Sequence, residues 1–114
     1  MEKAILTTMH AYTATQAIID RPNKKPRHGR VAAANLIRFS TEAAIATATA
    51  LPQYAGKLDG LAGRVPLTIG FLADLVLLIS RRTTVEEVNS VFAEEANSDR
   101  YRGMLGVTDE PLVS

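Results

Sequence analysis

The most apolar segment of the chain, IGFLADLVLLIS at residues 69–80, is the feature that most limits how the chain can fold. It is interrupted by Asp74, and it is far shorter than the roughly 20 residues that a membrane-spanning helix needs. Its 72–80 portion is apolar on nearly both faces, which is typical of a buried central strand or of a strand covered by a partner. We therefore predict a strand at 72–80 inside a soluble protein, with no membrane partner.

Four further strand regions and two helices are predicted around this segment. The strand regions are 3–12, 31–37, 61–67 and 101–114, the last as one or two short strands around a turn at Thr108–Asp109. A helix at 40–54 takes its N-cap from Ser40 or Thr41 and ends at Pro52 and Gly56. A second helix starts at Thr84, and Glu87 three residues later suggests a capping box.

This order of elements predicts the fold class and the core. The class is α+β, with a largely antiparallel sheet and two main helices on one face, in a single module covering residues 1–114. The apolar stripe of the second helix predicts its buried face, as core packing rather than a ligand groove. That stripe comprises Val85, Val88, Val91 and Phe92.

Composition excludes several classes of function. The 114 residues suffice for one domain with a modest core, and a net charge of +1 indicates neither nucleic acid nor membrane as a partner. The basic loop at 20–30, DRPNKKPRHGR, has no aromatic residue to stack on bases, so a solvated loop, including His28, is favoured over a polyanion site. The absence of cysteine excludes disulfides and a thiol nucleophile from this chain, and two distant histidines are a poor set of metal ligands.

A set of blocks in order along the chain resembles one known family. The blocks are TTMHAYTATQ, KK, GRVAAANLI, ST-x-AA, LPQYAGKLDGLAGRVP, TTVEEVN and RGMLGVTDEPLVS. Each is weak alone, but together they resemble the catalytic, C-terminal domain of phosphorylating glyceraldehyde-3-phosphate dehydrogenase across essentially the whole chain. The resemblance implies an α+β catalytic domain of an NAD-dependent oxidoreductase, and it implies that loop 20–30 is the S-shaped loop of a subunit interface.

The resemblance also implies roles for individual side chains. His10 would be the general base that activates a cysteine thiol, a role that suits an imidazole. Thr13, Thr15 and Arg64 would hold the phosphate of the substrate, since hydroxyls and a guanidinium suit an oxyanion. Ser40 and Thr41 would remain from a second anion site, the one used by inorganic phosphate.

Four departures from the family pattern bear on these roles. The nucleophilic cysteine and the nucleotide-binding domain are both absent from the 114 residues. Glu42 stands where the family has a glycine beside Ser40–Thr41, and a carboxylate there should weaken anion binding. Large apolar residues replace small and polar ones in the region of the predicted 72–80 strand; these are Leu67, Ile69, Phe71 and Leu72.

Three functions remain open from the sequence. The first is a non-catalytic scaffold or interaction module, an engineered derivative or a fragmentary natural reading frame, which associates with itself or with a protein partner. The second is a part of a glycolytic NAD-dependent glyceraldehyde-3-phosphate dehydrogenase whose cysteine and cofactor domain are supplied elsewhere. The third is a small module that binds phosphate or sulfate at Thr13, Thr15 and Arg64. The chain as it stands is expected to be cytoplasmic and not itself an enzyme, and to hold no cofactor or metal.

Overall fold

The computed structural model describes residues 1–113, without the side chain of Ala44, and divides the chain into two compact units. The first unit comprises residues 1–79 and the second begins at residue 80, and each is described by itself. The strands are β1 (Lys3–Ala11), β2 (Ile37–Phe39), β3 (Leu58–Val65) and β4 (Phe71–Leu78). The α-helices are α1 (Ala43–Ala50) and α2 (Val85–Asn97), and short 3₁₀ turns span Pro26–Gly29, Ala32–Ala34 and Pro52–Tyr54.

The first unit is built on one mixed sheet with the strand order β2-β3-β1-β4. β1 runs parallel to β3 and antiparallel to β4, while β2 runs antiparallel to β3. The α+β class is compatible with this sheet, but the prediction of a largely antiparallel sheet is wrong. The long connection through β2 and α1 returns the chain in the direction of β1, and such a crossover pairs β3 with β1 in parallel.

β4 lies at an edge of the sheet, so the first of the two predicted alternatives, a buried central strand, is wrong, while the second, a strand covered by a partner, stays a prediction. Its large side chains are exposed on both faces, as Phe71 at 59% and Leu72 at 60% illustrate. The central strands β1 and β3 are instead rich in small residues, and Ala4 and Ala11 of β1 are buried. β4 is thus apolar on both faces, yet neither face is covered by the described residues.

The helix predicted at 40–54 is shorter than expected, and α1 spans Ala43–Ala50. Glu42, rather than Ser40 or Thr41, holds the N-cap position, but its side chain makes no capping hydrogen bond. Thr41 still stabilises the helix start, because its Oγ1 accepts a hydrogen bond from the Ala43 N–H at 3.1 Å. At the other end Pro52 begins a 3₁₀ turn, since proline cannot continue the α-helical hydrogen bonding.

Two segments before α1 also differ in part from the sequence prediction. Most of 31–37 is not a strand, because a 3₁₀ turn occupies Ala32–Ala34 and β2 begins only at Ile37. Loop 20–30 is irregular and largely exposed as predicted, apart from a short 3₁₀ turn. The ion pair between Arg30 and Asp20, at 3.1 Å, ties its two ends together.

The second unit contains α2, whose predicted N-cap is confirmed. Thr84 Oγ1 accepts a hydrogen bond from the Glu87 N–H at 3.2 Å, whereas the Glu87 carboxylate binds Arg81 and Thr83 instead of closing a reciprocal capping box. The predicted buried face of α2 is wrong for this chain, since its apolar residues are exposed by 40% to 70%; these are Val85, Val88, Val91 and Phe92.

The predicted C-terminal strands are also wrong within the described residues. Residues 101–104 form turns, and no strand occurs between 101 and 113, while Ser114 lies outside the described residues. Thr108 does make the local turn contact expected of it, because its Oγ1 accepts a hydrogen bond from the Glu110 N–H at 3.1 Å. Across residues 1–113, none of the helices combines the length and the apolar character needed to cross a membrane.

Candidate active site

Strand pairing brings His10 and Arg64 together at one end of the sheet. His10 is the penultimate residue of β1, where it lies opposite Arg64 of β3 on one side and Phe71 of β4 on the other. Side chains that lie directly opposite each other on paired strands share a face of the sheet. Two residues that are 54 positions apart in sequence therefore become neighbours.

Three polar atoms form a tight triangle at this point. The Arg64 guanidinium Nη1 lies 2.7 Å from His10 Nδ1 and donates to the Ala11 carbonyl oxygen at 2.9 Å. His10 Nδ1 is itself 2.6 Å from the same carbonyl oxygen. The guanidinium is always protonated and can only donate, so it binds the imidazole and the end of β1 simultaneously.

Two aromatic rings fix the orientation of this pair. The Phe71 ring meets the His10 imidazole edge-on, with centroids 5.5 Å apart and planes at 73°. The Arg64 guanidinium carbon lies 5.5 Å from the centroid of the Phe39 ring, within the range of a cation–π contact. His10 and Arg64 are both half-buried, which strengthens such contacts relative to open water.

A cleft of about 320 Å³ opens over this face of the sheet. His10 and Arg64 line it together with Ser40, Thr41 and Glu42 from the chain that enters α1. The N-terminal end of a helix favours an anion, and here the exposed residue Glu42 holds the N-cap position and brings a carboxylate to this edge of the cleft. The cleft is therefore cationic at Arg64 and carries a negative group at its α1 edge.

Gly60 of β3 allows α1 to begin so close to the sheet. A Cβ atom added to Gly60 would lie 2.9 Å from Thr41 Cγ2, a separation that real Cβ atoms essentially never show. The absence of a side chain at Gly60 thus positions Thr41, and with it the α1 edge of the cleft.

Thr13 and Thr15 lie beside the end of β1 and are not among the residues that line the cleft. Their hydroxyl oxygens are 3.0 Å apart and hydrogen-bonded to each other. Gln16 is buried and braces this turn, since its Oε1 accepts a hydrogen bond from the Thr13 N–H at 3.3 Å. The structure therefore brings together four of the six predicted site residues, His10, Arg64, Ser40 and Thr41, and leaves the two threonines as a separate pair.

Phe39 and Phe71 are site residues that the sequence did not assign to the site. The sequence marks Phe71 only as a large apolar residue in place of a small or polar one, yet its ring packs against His10. His28, expected in solvent, is half-buried and packs edge-on against Phe39 with centroids 4.8 Å apart. The sequence contains one indication of the role of Phe39, because this residue directly precedes the predicted site residues Ser40 and Thr41.

Among residues 1–113, no three His, Cys, Asp or Glu side chains are grouped as ligands for a metal ion.

Comparison with known proteins decides the family. The model of the glyceraldehyde 3-phosphate dehydrogenase C-terminal domain matches residues 1–114, the whole chain. The chain belongs to this family. It is 46% identical over 112 residues to glyceraldehyde-3-phosphate dehydrogenase 2 of Streptomyces avermitilis, covering 98% of this chain and 33% of that protein.

Other relatives give the same result. Glyceraldehyde-3-phosphate dehydrogenase 1 of Bacillus cereus is 46% identical over 114 residues, covering 100% of this chain and 34% of that protein. Glyceraldehyde-3-phosphate dehydrogenase of Haloarcula vallismortis is 46% identical over 109 residues, covering 96% of this chain and 32% of that protein. The chain thus spans about a third of the length of each of these glyceraldehyde-3-phosphate dehydrogenases.

Proposed function

We propose that this domain supplies the base and the anion-binding side chains of a phosphorylating glyceraldehyde-3-phosphate dehydrogenase active site. The observation that carries the proposal is the 2.7 Å contact between His10 Nδ1 and Arg64 Nη1 in a cleft shared with Ser40 and Thr41. A cation, an imidazole and two hydroxyl groups on one surface suit a substrate that carries a phosphate group in addition to its reacting carbon.

The chemistry divides between these groups. His10 takes a proton from a thiol, a role for which an imidazole is suited near neutral pH. Arg64 binds a phosphate oxyanion through its planar set of N–H donors. Ser40 and Thr41 offer hydroxyl donors to a second anion, although the neighbouring Glu42 carboxylate repels it. Thr13 and Thr15 contribute to the first anion site if the turn braced by Gln16 moves toward Arg64 on binding.

The thiol and the cofactor are proposed to come from outside these 114 residues. The sequence contains no cysteine, and it contains no G-x-G-x-x-G loop of the kind that cradles a dinucleotide. NAD would act as the hydride acceptor in the complete enzyme. The 114 residues alone are accordingly not expected to reduce NAD.

A domain replacement tests this function. Residues 1–114 replace the matching third of the Bacillus cereus relative, and NAD reduction is measured with glyceraldehyde 3-phosphate and phosphate. We expect activity that falls about 100-fold or more in His10→Asn, the scale typical of losing a general base. The matched control His28→Asn, at the other histidine of the chain, should retain most of the rate. A folded replacement enzyme that is inactive, or that is equally active with His10→Asn, would refute the proposal.

A second proposed function is self-association, and it rests on the exposed apolar surface of β4. Within residues 1–113, β4 pairs only with β1, so its outer edge has no strand partner, and its large side chains are exposed on both faces. An uncovered apolar edge strand invites pairing with another chain. The face opposite the cleft adds an apolar groove of about 330 Å³, lined in part by Met9, Leu36 and Leu61.

Light scattering coupled to size-exclusion chromatography tests self-association. We expect a dimer or larger species that becomes monomeric in Val76→Lys, because a buried charge would oppose an apolar interface. Thr49→Lys, an exposed position on α1, serves as the control for the added charge. A monomeric parent protein would exclude this function without affecting the proposal for the cleft.

A further inference from the structure

We propose that the peptide bond between Arg82 and Thr83 is a processing site for a serine protease of trypsin-like specificity, and that it is the first bond of the folded chain to be cut. A protease of this kind binds a cationic side chain in a pocket with a carboxylate at its base. The cut leaves all four strands on the first product and α2 on the second. This inference does not depend on the proposed function of the cleft.

The segment 79–84 joins β4 to α2 and presents an unpaired backbone. Within residues 1–113, no backbone N–H or carbonyl group of 80–83 is bonded to another backbone group. Residues 80–84 are exposed, and Thr84 has the extended dihedral angles φ −118° and ψ 165°. Because proteolytic nicking is concentrated at exposed, weakly bonded segments, and an extended peptide can bind through its backbone, this segment can enter a protease groove with little local unfolding.

The two arginines of this segment differ in their availability. Arg81 Nη1 donates to Glu87 Oε2 at 3.0 Å, and Arg81 forms an ion pair with the same carboxylate. Arg82 takes part in none of the three ion pairs found among residues 1–113. Its planar guanidinium is therefore free to pair with the carboxylate of a protease pocket. The pocket takes Arg82 in preference to Arg81, so the bond after Arg82 is the one that is cut.

The reaction is a hydrolysis of one peptide bond. The serine oxygen of the protease attacks the Arg82 carbonyl carbon, the bond to the Thr83 nitrogen breaks, and this nitrogen leaves as an amine that takes a proton from the protease. Water then releases Arg82 as a carboxylate. The Arg82 carbonyl oxygen accepts one exposed hydrogen bond, from Arg81 Nη1 at 3.0 Å, and the oxyanion-hole donors of the protease can replace it.

The basic loop 20–30 carries more cationic residues, yet its peptide bonds are protected. Prolines directly follow Arg21 and Lys25, and a proline ring obstructs cleavage of the bond before it. In the other three bonds after a basic residue, the N–H group of the scissile bond is already occupied. The Lys25 N–H donates to Asn23 Oδ1 at 2.9 Å, the His28 N–H to the Lys25 oxygen at 2.8 Å and the Val31 N–H to Asp20 Oδ1 at 2.6 Å.

The turn that follows α2 is protected in a similar way. Arg102 Nη2 donates to the Asn97 oxygen at 3.1 Å and pairs with Asp99 at 3.3 Å. The Tyr101 N–H, which follows Arg100, donates to the Ser98 oxygen at 3.2 Å. We therefore expect the bonds after these two arginines to be cut later than the bond after Arg82.

Limited digestion of the folded chain tests the site directly. Trypsin at a low ratio to the protein is the probe, and mass spectrometry identifies the first fragments. We expect fragments 1–82 and 83–114 to appear first, while loop 20–30 remains intact. First fragments that end at Lys24, Arg27 or Arg81 would overturn the proposal.

Variants of the two arginines test the reasoning about their side chains. Arg82→Gln should slow the first cut about tenfold or more, because the carboxylate of the protease pocket then loses its cationic partner. Arg82→Lys keeps a cation and should retain the cut at this position. Arg81→Gln is the matched control, and it should leave the rate unchanged or raise it, since it also removes the hydrogen bond to the Arg82 carbonyl oxygen.

Two results would contradict this account of the linker. One is an equal loss of rate in Arg82→Gln and Arg81→Gln, which would mean that the free guanidinium of Arg82 does not direct the cut. The other is an unchanged rate in Arg82→Gln. Circular dichroism of each variant before digestion shows whether a faster cut comes from unfolding, and a folded Arg82→Gln variant that is cut at the parent rate rejects the site.

Discussion

Replacing Gly60 by alanine should shift the α1 edge of the cleft and destabilise the first unit. The new Cβ would lie 2.9 Å from Thr41 Cγ2 and 3.4 Å from the Leu6 carbonyl oxygen. Thr41 must then move, and its movement weakens the hydrogen bond that its Oγ1 accepts from the Ala43 N–H. Both the packing of α1 on β3 and the start of α1 are affected by one methyl group.

The magnitude follows from three contributions to the free energy of unfolding. Overpacking at a tight contact costs about 1–3 kcal/mol. A weakened hydrogen bond at the helix start adds a loss of about 0.5–1.5 kcal/mol. Replacing glycine restricts the unfolded chain and returns about 0.4–1 kcal/mol. The net expectation is a destabilisation of about 2 kcal/mol.

Gly63 of the same strand provides the matched control. A Cβ atom there would meet only the Thr8 carbonyl oxygen, at the ordinary distance of 3.8 Å. Gly63→Ala should therefore be neutral or stabilising by about 0.4–1 kcal/mol. Urea denaturation followed by circular dichroism measures both variants against the parent. If Gly60→Ala proves as stable as Gly63→Ala, the described packing of Thr41 against β3 is incorrect.

Three further predictions concern the charges and caps. Glu42→Gly should tighten phosphate binding about fivefold, since it removes a like charge from the α1 edge worth about 1 kcal/mol near a surface; calorimetry that shows no change would contradict this. Hydrogen bonds from Arg81 and Thr83 lower the pKa of Glu87 from 4.5 to about 2. The ionised Glu87 carboxylate therefore stabilises the folded chain fully above about pH 4.5, and this contribution is lost as the pH falls toward about 2. Glu87→Gln should flatten the acid unfolding curve of α2, and an identical curve would contradict the assignment. Thr84→Ala removes the N-cap and should destabilise the start of α2 by about 0.5–2 kcal/mol, as measured by hydrogen exchange of its backbone amides. Ser90→Ala, inside the same helix, is the control and should leave that exchange unchanged.

The sequence predicted the elements better than their arrangement. β1, β3, β4 and α2 lie within a few residues of their predicted positions, because alternation, Pro and Gly boundaries and the Thr84 cap are local signals. The parallel pairing of β1 with β3 was missed because it joins residues more than 50 positions apart, such as His10 and Arg64. The extended helix at 40–54 was wrong because the alanine-rich pattern gives no signal that distinguishes an α-helix from the 3₁₀ turn that begins at Pro52.

Burial was the property that sequence patterns predicted least well. β4 and the stripe of α2 are apolar in the way that buried elements are, yet they are exposed in this chain. An apolar face indicates that something covers it, but not whether the same 114 residues supply the cover. The chain spans about a third of the length of its relatives, and both faces are uncovered within the described residues.

The candidate site was predicted in part because its motif residues were assigned from the family resemblance. That resemblance gave His10 and Arg64 but neither their direct contact nor the aromatic rings around them. Side-chain hydrogen bonds such as the one between Arg64 and His10 depend on register and rotamer, and single residue types in a sequence do not specify either.

Binding of glycerol 3-phosphate, measured by calorimetry on the parent chain, Arg64→Met and Arg38→Met, tests the central claim most directly. The account predicts that Arg64→Met weakens binding about 10- to 100-fold, the scale of a lost hydrogen bond to a charged group of about 1.5–3 kcal/mol. It predicts little change for Arg38→Met, which removes the same charge outside the cleft. Equal losses in the two variants, or unchanged affinity in Arg64→Met, would show that the cleft beside His10 is not the anion site.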